Sequence, residues 1–300
     1  MDWVLLSLAS AAAFAVVSIL DKVLLTRFVT DARAFIVLVG VIQFGMAAAA
    51  LPLASFSGLD GGGVLVAFVS GALWGVSLVA MFWVLSTQDV SRVIPVVSAA
   101  PVFVAIMAVV FLSEQLGPLQ WVAILVTVAG AGLISLRAGG SGGRPTLSPS
   151  FLVLVLSAAT FAGGQFMTKV ALDEMDLWTV LVIRNLGLGT VAMLIPFRPS
   201  VLPAIRRAVS EPATLTVLIA TEGFLVFGAL VVTFRAIELG PVSLVATLMA
   251  TRPLFVFIMS VVLSTAVWRL LDEPLDRPIL LQKLVSTAMI VGGVVAIAVT

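Results

Sequence analysis

Long apolar stretches alternate with short polar breaks along the whole chain. Each stretch is about long enough to cross some 30 Å of hydrocarbon at 1.5 Å rise per residue. Ten helices are predicted, at 3–20, 34–53, 64–85, 93–112, 118–136, 151–168, 177–197, 213–234, 242–263 and 279–299. Barrel strands would be about half as long and would alternate in polarity. The predicted fold class is therefore an all-α polytopic membrane protein with ten transmembrane helices. Turn chemistry marks the breaks, as in Ser57-Gly58-Leu59-Asp60-Gly61-Gly62-Gly63, Gly117-Pro118 and Gly240-Pro241.

One break differs. Residues 138–149 are rich in Gly, Ser and Pro and read as a flexible linker. It divides the chain into a first five-helix unit, 1–137, and a second, 150–300. In residues 264–283, Trp268, Leu270 and Leu271 alternate with Arg269, Asp272 and Glu273, which fits either a short interfacial helix or an ordinary loop. The first apolar segment begins with Asp2 and has no leading Lys or Arg, so it is expected to be a retained helix rather than a secretory signal.

Composition supports the membrane reading and narrows the chemistry. Hydrophobic residues are 61% of the chain and charged residues 10%, against about 25% charged in a soluble domain. Cys, His and Tyr are absent. That excludes disulfides, thiol nucleophiles, Ser-His-Asp triads and nearly every transition-metal site. A net charge of +1 supplies no basic field for nucleic acid. No cofactor motif is present, and the nucleotide-binding pattern Gly-x-x-x-x-Gly-Lys-Ser/Thr does not occur.

The two halves echo each other. Phe14-Ala15, Lys22-Val23 and Leu25 match Phe161-Ala162, Lys169-Val170 and Leu172 at an offset of 147. Ser91, Pro101 and Phe103 match Ser243, Pro253 and Phe255 at an offset of 152, and Gly130 pairs with Gly292 after an insertion. Because five is odd, the second unit must enter the membrane from the opposite side. The prediction is a pair of inverted repeats, which is the scaffold of alternating access.

Positive charge orients the chain. Breaks after the odd-numbered helices hold Lys22, Arg27, Arg33, Arg92, Arg137, Arg144, Arg198, Arg206, Arg207, Arg269, Arg277 and Lys283. Breaks after the even-numbered ones hold only Lys169 and Arg235. Both termini are expected outside the cytoplasm.

These features resemble the drug/metabolite transporter superfamily in its ten-helix EamA form, over nearly the whole chain. The carrying residues are the repeat starts, Phe14-Ala15…Lys22 and Phe161-Ala162…Lys169, and the stretch Pro95-Val96-Val97-Ser98-Ala99-Ala100-Pro101-Val102-Phe103. That stretch leads into Phe111-Leu112-Ser113-Glu114-Gln115-Leu116; its echo is Thr251-Arg252-Pro253-Leu254-Phe255, and Gly292-Gly293 close the pattern. The resemblance implies a secondary transporter in a bacterial or archaeal cytoplasmic (inner) membrane, often an exporter of metabolites, amino acids or drugs. It also implies a central cavity lined mainly by helices 1, 3, 4, 6, 8 and 9. The family is usually drawn with both termini in the cytoplasm, the reverse of what the charges indicate here.

Arg184, Glu222 and Arg252 fall inside predicted helices. Each costs at least about 2.5–3.5 kcal/mol to insert and should face a cavity or a partner. Glu222 lies about 14 Å into helix 8 and Arg252 at similar depth in helix 9. Arg can hold a carboxylate or phosphate bidentately. Glu222 can bind an amine or carry a coupling proton. The competing reading is an ion pair that only fixes helix packing. At an offset of 152, Glu222 maps to Ser70 and Arg252 to Ala100, so the charges occur once in a repeated scaffold.

The candidate substrate site is therefore Glu222, Arg252, Arg184 with adjacent Asn185, Gln43, Gln165 and Trp74. Gln43, Gln165 and Thr168 would line the cavity or bond neighbouring helices. Trp74 offers an aromatic wall, and Trp83 reads as an interfacial anchor. Gly71…Gly75 and Gly163-Gly164 read as close-packing positions, Lys22 and Lys169 as snorkelling end charges, and Glu114 as a helix-end contact. Asp173, Glu174 and Asp176 read as a solvated loop.

The expected function is transport of a small organic solute, zwitterionic or anionic, by a monomer or homodimer surrounded by lipid, with a proton as the candidate coupling ion. The alternative is a membrane-embedded lipid-handling protein or enzyme using Glu222 as base; missing His and unclustered carboxylates weigh against an enzyme.

Overall fold

The computed structural model describes residues 2–85, 99–135, 149–266 and 277–299. The linker expected at 138–149 lies outside them up to its last residue. So do the core of the 264–283 segment and the residues Ser91, Arg92 and Pro95 to Ser98. The described chain is helical throughout. The helices are α1 (Asp2–Val23), α2 (Ala32–Ala50), α3 (Gly61–Leu85), α4 (Ala100–Phe111), α5 (Pro118–Ser135), α6 (Pro149–Glu174) and α7 (Leu177–Leu194). There follow α8 (Leu202–Ser210), α9 (Pro212–Leu218), α10 (Val226–Leu239), α11 (Val242–Met249), α12 (Arg252–Ala266) and α13 (Arg277–Ala298). Among the described residues, seven spans are long and apolar enough to cross a membrane, and α4, α5 and α13 contain shorter apolar helices. The protein is a polytopic integral membrane protein.

Local chemistry sets the ends. Asp31 caps α2 through the amides of Arg33 and Ala34, at 2.9 and 3.3 Å. Asp176 caps α7 in the same way through Trp178 and Thr179, at 3.0 and 3.1 Å. Prolines open α5, α6 and α9, where their missing N–H would have no helical partner.

Four stretches differ from expectation. The first helix does not stop at residue 20. It runs to Val23 and continues as a π-helical turn, Leu24–Phe28, so Asp21 and Lys22 are helical. Likewise α6 extends through Glu174, which turns the expected acidic loop into helix; Asp173 pairs with Lys169 one turn back at 2.9 Å. The expected helix over 242–263 is broken between Met249 and Arg252. Pro253 explains the break: it lacks an N–H, and its ring collides with the carbonyl one turn earlier. Lastly, α8 forms where only a loop was expected.

α3 packs against both α6 and α7, and α7 also packs against α2. Small residues bring these helices together. A Cβ on Gly71 would lie 1.8 Å from the Arg184 carbonyl oxygen, and one on Gly187 would lie 2.0 Å from that of Phe68. Gly71 and Gly75 thus have the expected packing role. Elsewhere α1 packs on α10, and α5 on α13.

Candidate functional site

The Gly71 contact draws the α7 backbone against α3 and fixes where Arg184 lies. Its side chain is 1% exposed. The guanidinium carbon stacks 3.8 Å above the Trp74 ring and 5.1 Å from the Phe234 ring. Trp74 is itself braced edge-on by Phe161, with centroids 5.6 Å apart. Stacking satisfies the faces of a guanidinium but not its N–H groups. Nε and Nη1 of Arg184 are buried without a hydrogen-bond partner, as are both side-chain polar atoms of Asn185. An unmatched charge with bare donors is costly in a low-dielectric interior and is relieved by an incoming anion.

A second charged group forms on the other face of the bundle. α1 and α10 run antiparallel: Trp3 abuts Gly240, and Ser10 Oγ lies 2.5 Å from Thr233 Oγ1. Moving along α1 therefore moves the partner backwards along the opposing chain, and Asp21 arrives beside Glu222. Glu222 is 6% exposed and sits on a π-helical segment, Ile219–Leu225. Arg252 joins this group from the start of α12. Its Nε donates to Ser18 Oγ at 2.6 Å, one turn from Asp21, and its guanidinium lies 5.6 Å from the Phe14 ring.

The predicted site residues thus fall into two groups. Arg184, Asn185 and Trp74 are on α7 and α3. Glu222 and Arg252 lie elsewhere, and Phe234 beside Arg184 is roughly 18 Å beyond Glu222 along its span at helical rise. Gln43 and Gln165 are buried, each with an unpartnered Oε1, whereas Thr168 Oγ1 donates to the Gly164 carbonyl at 2.8 Å. Trp83 is 54% exposed near the end of α3, as befits an interfacial residue.

Asp21 was not among the residues singled out from sequence. The helix was ended one residue before it, so its carboxylate counted as loop. The signal that could have found it is the Phe14-to-Leu25 repeat pattern, which runs through position 21 without a turn residue.

Glu114 does make a helix-end contact, but on a distant helix. Its carboxylate accepts from the Val242 amide at 2.8 Å and from Ser243 Oγ, closing the amino terminus of α11.

Buried charges inside apolar spans of an integral membrane protein mark candidate functional positions. Residues 1–136, a little under half of the chain, match the EamA-like transporter family, which belongs to the drug/metabolite transporter superfamily. A solved structure described only as the crystal structure of a protein is similar over 98% of this chain and 95% of its own, with TM-score 0.71 and 18% identity. At that identity the likeness concerns the fold alone. No curated protein matches the chain.

Proposed function

We propose that the protein is a secondary-active transporter, working as an exporter, that carries a small anionic or zwitterionic organic solute by alternating access. The observation that carries this reading is Arg184, a fully buried guanidinium stacked on Trp74 with Nε and Nη1 unpartnered. A residue that only fixed packing would have its donors satisfied. Asn185 offers further polar atoms beside it, and Trp74 a flat apolar wall. Glu222 is the coupling carboxyl. A carrier is favoured over an enzyme because the Arg184 group offers a binding cation with bare donors.

Ten spans in two inverted units suit this reading, and the packing supports it. The contact of α3 with α6 is mirrored by that of α10 with α1. The contact of α4 with α6 is mirrored by those of α11 and α12 with α1. α2 with α7, α4 with α11, and α5 with α13 pair across the axis that would relate the halves. Units 1–137 and 150–300 are the two repeats, and the charge bias puts both termini outside the cytoplasm.

Counterflow in proteoliposomes loaded with a cellular metabolite pool tests the assignment. Exchange of an acidic or zwitterionic component is expected, with at least about tenfold loss in Arg184→Gln, the scale of one charge-assisted contact. Absence of any exchange, or full exchange by folded Arg184→Gln protein, overturns it.

A further inference from the structure

We infer that Asp21 and Glu222 together form a single-proton site, neutral with Arg252 when the proton is bound. Two ionised carboxylates beside one guanidinium would leave an uncompensated negative charge in a buried place, which one shared proton removes. The antiparallel register of α1 on α10 brings the two residues together in a buried place: Glu222 is 6% exposed, and Asp21 Oδ1 is enclosed with no hydrogen-bond partner. Arg252, held on Ser18 one turn from Asp21, supplies one positive charge. With one proton the pair carries one negative charge, and the trio sums to zero. When the proton leaves, the pair carries two, and the trio becomes an anion in a medium that disfavours it.

Among the described residues, the elements packed there contribute no other buried charge: Asp2 on α1 and Arg235 and Glu238 on α10 are exposed. Of the elements packed on Ile219–Leu225 or on α1, Lys22, Arg27 and Arg33 are exposed. Gln43 on α2 is buried and neutral. Losing the proton sets two negative carboxylates against each other. It also pulls Arg252 away from Ser18, which ties α12 to α1 by the 2.6 Å bond. Protonation therefore holds α1, the Glu222 segment and α12 together, and deprotonation loosens them. The π-helical segment at Ile219–Leu225 is a place where such movement is absorbed by a change in local helix winding. The proton site stands some 18 Å of helical rise from the Arg184 group, so proton and solute would act on different ends of the same span. This rests on the carrier reading only for the use to which the proton is put.

Infrared spectroscopy of the purified protein in lipid nanodiscs tests the site without any substrate. The wild type is expected to show the stretching band of a protonated carboxyl that shifts in heavy water and is lost as pH is raised. Asp21→Asn and Glu222→Gln should each remove that titrating band, because the remaining carboxylate faces Arg252 alone. Asp21→Glu, which keeps both carboxyls, should retain it and serves as the folded control; retention by it together with loss in the Glu222→Gln protein supports the pair even where Asp21→Asn fails to fold. A band unchanged in folded Asp21→Asn or Glu222→Gln protein, or no such band in the wild type, overturns the proposal. In proteoliposomes both substitutions should abolish accumulation driven by a pH gradient. Exchange missing from the wild type, with the infrared titration intact, would overturn the carrier reading and leave the proton site standing.

Discussion

Glu114 closes the amino terminus of a helix far away in sequence: its carboxylate takes a hydrogen bond from the Ser243 hydroxyl while also accepting from the Val242 amide at 2.8 Å. Pro241, at the N-cap position of α11, has no side-chain oxygen to do this. The contact ties the segment after α4 to the start of α11, two helices that pack on each other. Glu114→Ala is expected to lower stability by about 1–2 kcal/mol, the scale of a lost cap with a charged acceptor. Glu114→Gln, which keeps one acceptor oxygen, should cost less. Thermal unfolding in detergent checks both, and equal stability of the alanine variant would show that the cap contributes nothing.

Gly71 sets the spacing of α3 against α7. Since a Cβ there would fall 1.8 Å from a carbonyl oxygen, the helices must separate to accept even alanine. Gly71→Ala should sharply reduce the yield of folded protein. Gly45→Ala, where the added methyl meets nothing within 4 Å, should be tolerated or slightly stabilising. Size-exclusion profiles of the two variants distinguish the outcomes, and similar profiles would contradict the packing argument.

Asp176 gives the start of α7 a pH dependence. Desolvation tends to raise the Asp176 carboxyl, but hydrogen bonds from the Thr179 hydroxyl and amide, with others from Ser55 and Trp178, outweigh it and hold the group below its usual value. A carboxyl lower in the folded than in the unfolded chain stabilises fully above the unfolded value, about 3.9 for Asp. That contribution is lost as pH falls through the lower folded value. Hydrogen exchange at the Trp178 and Thr179 amides should therefore rise, relative to the intrinsic rate, in the acid range below about pH 4. Asp176→Asn should flatten this dependence while keeping much of the cap. Unaltered dependence in the Asn variant would assign the effect elsewhere.

Orientation has a direct test. Reporter fusions at the carboxyl terminus and within 138–149 should report opposite sides of the membrane, the terminus outside and the linker in the cytoplasm. A cytoplasmic carboxyl terminus would refute the reading from positive charge.

Much of the architecture was legible in the chain because hydrocarbon imposes a one-dimensional rule. A backbone in lipid must satisfy its own hydrogen bonds, so apolar runs become helices wherever they are long enough. That rule suffices for the spans from Ala32, Gly61, Leu177 and Pro212, for the membrane class, and for noticing Arg184, Glu222 and Arg252 as charges out of place. It does not tell which helix faces which, since core-facing and lipid-facing residues are both apolar. Rotation and register between helices decided the rest. They set Asp21 against Glu222, gave Ser18 rather than a carboxylate to Arg252 Nε, and carried Glu114 to Ser243. They also placed the Arg184 group far along the span from Glu222, where sequence depth alone had suggested one midplane site. Helix ends belong to the same class of decision. Whether α1 stops at residue 20 or winds on past Asp21 depends on packing against α10 and the Glu222 segment, which no local window of residues contains.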